Sequence, residues 1–256
     1  MFLVSALTLS ACQTAPTEQS GQLSSYSGVW IKEGSLRTSI SVKRDDAASD
    51  AVQRVFIEPG VLANGVGEDL TDAEKRAVLS EVDRQICFEI SERFTVVPAV
   101  ENDTAIIRAY VVRIKPTGRV GSGASAAVNF FNPVPGTNVR APGSTGGLAI
   151  ESEMLAPNSG EQIAALAWGR DAQVLGTDSP SLSRIGDALQ LAEPAGDAVA
   201  SAFATKTRKA QKVQEPDPCE KHGPRRNLTV GSMGRAAVGG ITGLYVPDTG
   251  DETPVE

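Results

Sequence analysis

The sequence predicts an α+β domain in which two long helices pack on one face of a mostly antiparallel sheet of four to six strands. Two observations predict the helices: apolar residues recur at helical spacing over 72–94 and again over 183–203. A third predicts the sheet, because the segments around them alternate or form short apolar runs. We assign the single domain to residues 26–207 and expect disordered termini on both sides.

The first helix is marked by its N-terminus. Thr71 and Glu74 have the spacing of a capping box, in which each side chain bonds to the other residue's backbone amide. The apolar stripe that follows consists of Val78, Leu79, Val82, Ile86, Ile90 and Phe94. The second helix is predicted from Ser183, a candidate N-cap, to Phe203, with a kink or a division into two helices at Pro194.

Six segments have the pattern of strands, and two of them form a hairpin. They are 37–43, 52–58, 94–97, 104–115, 147–155 and 161–171. The last two are joined by 157–160, where Gly160 can adopt a positive φ at low cost. Residues 45–50, between the first two segments, are predicted to form a turn or loop.

The N-terminus predicts a membrane anchor. An apolar run over 2–8 leads into Leu9-Ser10-Ala11-Cys12, which resembles the lipobox of bacterial lipoproteins, where the signal peptide is cut before a cysteine that is then acylated. We therefore expect a signal peptide over 1–11, lipidated Cys12 and a flexible linker over 12–25. A bilayer span needs about 20 apolar residues, so acyl chains would supply the attachment to membrane lipid. Gln13 favours the outer membrane, facing the periplasm.

Charge and cysteine content limit the partners. The chain has 24 Lys and Arg against 31 Asp and Glu, a formal net charge of −7, which argues against a nucleic-acid partner. Beyond Cys12 the sequence has only Cys87 and Cys219, which could form a disulfide in an oxidising compartment. Because Cys87 lies in a predicted helix and Cys219 in a proline-rich tail, the sequence favours a buried thiol at Cys87 over that pairing.

Two segments are candidates for partner binding. Phe130 and Phe131 lie in a long loop rich in glycine and proline, where they could anchor an envelope protein or fold back into the core. Residues 208–256 form a low-order extension, basic at first and then glycine-rich. The basic part could contact anionic peptidoglycan or lipopolysaccharide, although a solvated tail is the favoured interpretation.

The sequence gives little support to an enzyme. His222 is the only histidine, and the motif from Cys219 to His222 supplies two zinc ligands where a structural site needs four, so we expect neither a metal nor a cofactor. Glu151 and Glu153 lie on one strand face and could share acid–base work in a periplasmic hydrolase. We favour the alternative that they form the solvated edge of a half-buried sheet. We therefore expect no catalytic residues in this protein.

The order of elements and one motif resemble a family of bacterial lipoproteins known as domain of unknown function 3313. The motif is the acidic pair Glu151 and Glu153, a turn ending in Ser159-Gly160-Glu161 and a small-residue strand over 163–166. The entry Tyr26-Ser27-Gly28 after a lipobox fits as well, and the resemblance extends over about 26–206. It implies an envelope lipoprotein with an accessory, assembly or binding role.

Overall fold

The computed structural model describes residues 19–31, 38–118, 121, 125, 138–141, 143–176 and 178–223. In these residues the helices are α1 (Asp46–Ala51), α2 (Asp72–Ser91) and α3 (Gly186–Phe203), with a 3₁₀ turn at Glu220–His222. The strands are β1 (Trp30–Ile31), β2 (Thr38–Arg44), β3 (Arg54–Ile57), β4 (Val61–Leu62), β5 (Thr95–Val96), β6 (Thr104–Lys115), β7 (Asn138–Val139), β8 (Gly147–Leu155), β9 (Gln162–Asp171) and β10 (Leu175–Gly176).

The predicted α+β class with a mostly antiparallel sheet is confirmed, and the sheet is mixed because its β3–β5 end is parallel. Eight of the described strands form one sheet in the order β1-β2-β9-β8-β6-β3-β5, with β4 also beside β6. Pairing from β1 to β6 is antiparallel, whereas β3 runs parallel to both β6 and β5. The parallel end follows from the chain path, because α2 crosses over between β3 and β5 and returns the chain in the same direction.

The core lies between the two long helices and one face of the sheet. Helix α3 approaches α2 closely at Gly196, where an added Cβ would lie 2.8 Å from the backbone carbon of Gln85. No larger residue fits there without moving one helix. Fully buried core residues on the helices and the sheet include Val82, Ile86, Ile90, Leu191, Ala195, Val199, Ile107, Leu148, Ile150 and Leu166.

The two long helices begin in different ways. The capping box at α2 is confirmed: Thr71 Oγ1 accepts from the amide of Glu74 at 3.2 Å, and Glu74 Oε2 accepts from the amide of Thr71 at 2.9 Å. The expected start of α3 at Ser183 is wrong, because its carbonyl accepts from the amide of Gly186 in a turn that precedes the helix. Of the two alternatives expected at Pro194, the division into two helices is absent, since α3 is one helix through that residue.

Residues 45–50 do not form the expected loop. They begin α1, which Asp45 caps by accepting from the amide of Ala48 at 3.0 Å. Ser49 is fully buried and donates to the carbonyl of Phe203 at the end of α3. This one-and-a-half-turn helix thus depends on a cap and on a contact with a distant element, and the second is invisible in the local sequence.

Candidate functional site

The two carboxylates of the sequence motif lie in the middle of the sheet. Strand β8 alternates, so Leu148 and Ile150 enter the helix-covered core while Glu151 and Glu153 lie on the opposite face. Both glutamates are buried, with 1% of their surface exposed. The expectation of a solvated edge is therefore wrong, because β8 is a central strand between β6 and β9 and its outer face is covered.

Glu151 binds the start of the described chain. Its Oε1 accepts from the amide of Ser20 at 3.1 Å, and its Oε2 accepts from the Ser20 hydroxyl at 2.5 Å. The same Oε2 accepts from the hydroxyl of Tyr26 at 2.7 Å. Both oxygens of this buried carboxylate are therefore used by the N-terminal segment.

Glu153 holds the middle of the same segment. Its Oε2 accepts from the amide of Ser24 at 2.9 Å and from the Ser24 hydroxyl at 2.6 Å. Gln162, at the start of β9, donates to this oxygen at 2.9 Å and to the carbonyl of Ser25 at 3.0 Å. The segment thus spans from β8 to β9.

Tyr26 organises the segment itself. Its hydroxyl accepts from the amides of Gly21 at 2.8 Å and Leu23 at 3.3 Å while it donates to Glu151. We call these contacts the N-terminal clamp; its members are Ser20, Ser24, Tyr26, Glu151, Glu153 and Gln162. Ser20, Ser24 and Ser25 of the predicted linker therefore contact the sheet.

The clamp supplies neutral donors to both buried carboxylates. Arg108, which lies opposite Glu153 on β6, pairs instead with Glu58 Oε2 at 3.0 Å. Tyr110, which lies opposite Glu151 on β6, has its pKa raised by burial. Buried carboxylates are tolerated when several donors satisfy them. The arrangement suits fixing a chain segment better than transferring protons, since the clamp donors already occupy both oxygens of Glu151 and Oε2 of Glu153.

The two remaining cysteines pair. Cys87 on α2 and Cys219 form a disulfide, so the expected buried thiol at Cys87 is wrong. They meet because the chain after α3 returns along α2: the amide of Gln211 donates to the carbonyl of Glu92 at 2.8 Å. Their separation of 132 positions left no local signal of this path. The pairing also removes Cys219 as a thiolate ligand, and no three metal-binding side chains gather elsewhere in the described residues.

The described start of the basic extension is part of the domain. Arg208 Nη2 donates to the carbonyls of Ser49 at 2.9 Å and Val52 at 2.6 Å, and its guanidinium lies 4.3 Å from the ring centre of Phe94. Burial lowers the pKa of Arg208. This cation therefore joins the extension to α1 and the core.

One buried ion pair was missed by the sequence analysis. Arg140 Nη1 and Nη2 donate to the two carboxylate oxygens of Asp187 at 2.6 and 2.9 Å, and both side chains are fully buried. The amide of Gly146 also donates to Asp187 at 2.5 Å. Asp187 lies in the first turn of α3, so the pair fastens the β7 region to the start of that helix.

The predicted lipidation and partner sites stay predictions. Cys12, Phe130 and Phe131 all lie outside the described residues. Among the residues that are described, no helix combines the length and apolar character needed to cross a bilayer.

The fold and the clamp define an α+β domain that secures its own N-terminal segment across a mixed sheet. Residues 18–199 match the family model described as Protein of unknown function (DUF3313), and the chain belongs to this family. The matched region begins at residue 18 and therefore includes the segment held by the clamp. The sequence matches no curated protein.

Solved structures with distant similarity to this chain include the following two. One is the PelC dodecamer from Paraburkholderia phytofirmans, with 9% identity and a TM-score of 0.39 over 68% of this chain and 99% of that one. The other is a homolog of a neuraminyllactose-binding hemagglutinin from Helicobacter pylori, with 12% identity and a TM-score of 0.31 over 61% of this chain and 83% of that one.

Proposed function

We propose that this member of the family is a non-catalytic lipoprotein of the bacterial cell envelope. Acyl chains on Cys12 would attach it to membrane lipid, in the outer membrane and facing the periplasm. Its domain would serve as an accessory or binding module for an envelope protein or for peptidoglycan. Phe130 and Phe131 are its candidate contacts.

The N-terminal clamp is the observation that carries the non-catalytic part of this proposal. Glu151 and Glu153 were the candidates for acid–base chemistry, and both accept hydrogen bonds from the protein's own N-terminal segment. A general acid or base must reach a substrate proton directly or through one water. The clamp therefore weighs against the hydrolase alternative and gives the two carboxylates a structural role.

The disulfide supports the proposed compartment. Disulfides persist in oxidising environments such as the bacterial periplasm and are rare in the cytosol. The bond between Cys87 and Cys219 closes the chain around α2 and the sheet edge. A domain with such a disulfide is suited to the oxidising cell envelope. The lipobox resemblance of residues 9–12 points to the same compartment.

The clamp also sets how far the domain can lie from the membrane. Ser20 is held on Glu151, and it lies eight positions after Cys12. Eight fully extended residues span at most about 28 Å. The proposed tether is therefore short, and the sheet face with the clamp would be near the lipid surface. The net charge of −7 would keep the domain from adhering to anionic headgroups.

The anchor is tested by metabolic labelling with palmitate and by membrane fractionation. We expect the wild-type protein to incorporate label and sediment with outer membranes, and Cys12→Ser to do neither. Thr14→Ser, two positions further along the predicted linker, is the matched control and should keep both properties. Label in Cys12→Ser, or its unchanged sedimentation with membranes, would overturn the proposal.

The binding role is tested on the loop phenylalanines. Crosslinking in intact cells, followed by purification, compares the wild type with the double variant Phe130→Ser and Phe131→Ser. We expect loss of crosslinked envelope protein or peptidoglycan with an unchanged melting temperature. Leu182→Ser is the control, because Leu182 is an exposed apolar side chain elsewhere on the domain. Equal crosslinking in all three proteins would exclude the loop as the contact.

A further inference from the structure

The chain that returns along α2 lines a partly open cavity of about 540 Å³ at the β5 end of the sheet. One wall is the segment 214–222, which we call the strap. The strap is fixed by the disulfide to Cys87 and by Gln214, whose side-chain oxygen accepts from the amide of Val96 at 2.9 Å. A cavity of this size is in the range of small-molecule sites. The strap therefore turns a sheet edge into a partly open pocket.

The lining is mainly apolar. Its apolar side chains come from β3, β5, the residues directly after each of these strands, and the strap: Phe56, Ile57, Pro59, Val96, Val97, Pro98, Pro216 and Pro218. Ligand cavities commonly combine such walls with a few placed polar groups. Here the polar groups are Glu58 after β3, Asp83 on α2, and Gln214, Glu215, Lys221 and His222 on the strap.

Asp83 is the polar group best placed to orient a ligand. Its Oδ1 accepts from the amide of Gly60 at 2.8 Å, while Oδ2 takes no hydrogen bond from a described residue. Burial raises the pKa of Asp83 to about 6, although the nearby charge of Lys221 opposes the shift. Gly60 permits this geometry, because an added Cβ would lie 2.6 Å from Oδ1. One acceptor position is thus left for a donor in the cavity.

The charges around the cavity are balanced in pairs. Glu58 pairs with Arg108 at 3.0 Å, and Glu215 pairs with Lys212 at 2.9 Å. Lys221 offsets Asp83. The remaining group, His222, has its pKa lowered by burial and by Lys221 and Arg84, which favours the neutral imidazole. An ionic ligand would therefore enter an apolar space without a free counter-charge, at a large desolvation cost.

We propose that this cavity binds a small uncharged molecule that has an apolar ring system and one N–H or O–H donor directed at Asp83. The ring would contact the proline and β5 side chains. The donor would satisfy the remaining carboxylate oxygen. This proposal concerns a different site from the membrane anchor and does not depend on it.

The first experiment changes the ligand and leaves the protein intact. Indole and 1-methylindole are titrated into the full chain with its disulfide formed, by isothermal titration calorimetry. The two probes differ in the N–H donor, so we expect saturable one-to-one binding of indole and at least about tenfold weaker binding of 1-methylindole. Equal affinities would overturn the role of the donor, and no saturable binding of either probe would overturn the site.

The second experiment changes Asp83. Asp83→Asn keeps an oxygen for the amide of Gly60 but places an NH₂ group where indole needs an acceptor. We expect the affinity for indole to fall to that for 1-methylindole, with an unchanged melting temperature. Asp72→Asn, at the exposed start of the same helix, is the matched control and should leave both affinities unchanged. An unchanged preference for indole in Asp83→Asn would place the probe elsewhere.

The third experiment removes the disulfide that fixes the strap to α2. In the double variant Cys87→Ser and Cys219→Ser the strap is no longer fixed to α2, so we expect both probes to lose saturable binding. The comparison is made at a temperature where circular dichroism shows that the variant is folded. Binding that persists there would contradict the strap as a wall of the site. The wild-type titrations with the two probes decide the proposal even if this variant does not fold.

Discussion

The hydroxyl of Tyr26 donates to Oε2 of Glu151 at 2.7 Å, which joins two residues that lie 125 positions apart. Tyr26 belongs to the entry motif Tyr26-Ser27-Gly28, and Glu151 belongs to the acidic pair with Glu153. The two parts of the sequence signature therefore contact each other. What the signature encodes is the docking of the start of the domain onto its central strand β8.

Removing this hydroxyl should weaken the clamp and the fold together. Tyr26→Phe keeps the ring but leaves Glu151 with one donor fewer and removes the acceptor for the amides of Gly21 and Leu23. Hydrogen bonds to charged groups contribute about 1.5–3 kcal/mol, so we expect a loss of that size in the free energy of unfolding. Urea denaturation measures it, and hydrogen exchange should show faster exchange at Gly21 and Leu23.

The matched control for this variant is Tyr110→Phe. Tyr110 lies opposite Glu151 on β6, and its hydroxyl makes no hydrogen bond within the described residues. We expect a change below about 0.5 kcal/mol there, as for substitutions away from specific contacts. Equal losses in the two variants would show that the clamp contributes nothing particular to stability.

Elements that depend on short-range pattern were predictable from the sequence. Thr71 and Glu74 lie three residues apart and cap α2 by themselves, and the turn at Gly160 joins β8 to β9 as expected. The long strand β6 was also predicted correctly, because apolar residues at both odd and even positions indicate a central strand covered on both faces. In each case the residues that decide the structure are neighbours in the chain.

The errors concern features that depend on distant residues. The burial of Glu151 and Glu153 depends on Ser20 and Ser24, and alternation along β8 cannot reveal what covers each face. The disulfide at Cys87 depends on the path of the chain after α3, over a separation of 132 positions. Spacing gives no information about such contacts.

The disulfide should contribute strongly to stability. It closes a long loop, and removal of such a crosslink typically costs about 2–4 kcal/mol, mainly by enlarging the unfolded ensemble. We expect the double variant Cys87→Ser and Cys219→Ser to lose that much free energy of unfolding in guanidinium titrations. Adding reductant should shift the wild-type curve to the position of the variant and leave the variant curve in place. A wild-type unfolding curve that does not shift when reductant is added would contradict the disulfide between Cys87 and Cys219.

Removing one partner of the buried ion pair between Arg140 and Asp187 should destabilise the protein more than replacing both partners. Asp187→Ala leaves a buried guanidinium without its carboxylate, which costs about 3–5 kcal/mol. The double variant Arg140→Met and Asp187→Leu removes both charges, so we expect it to be more stable than Asp187→Ala. Thermal and urea unfolding of the three proteins give the comparison. A double variant less stable than Asp187→Ala would mean that the side chains matter for shape rather than charge.

The carboxylates between α2 and α3 should make stability fall as the pH rises. Burial, followed by repulsion from Asp197 and Glu92, raises the pKa of Glu89 from 4.5 to about 7. Between these values the folded state binds more protons than the unfolded state, so the contribution of Glu89 to stability decreases from pH 4.5 to 7 and is constant above. Glu89→Gln should therefore stabilise the protein at pH 8 and have little effect at pH 4. Because Asp197 is exposed and solvent screens its interaction with Glu89, we expect a gain of no more than about 1 kcal/mol in the free energy of unfolding at pH 8. Urea unfolding measures this gain, and the exposed Glu68→Gln is the control. A gain that is the same at pH 4 and pH 8 would contradict the assignment to Glu89.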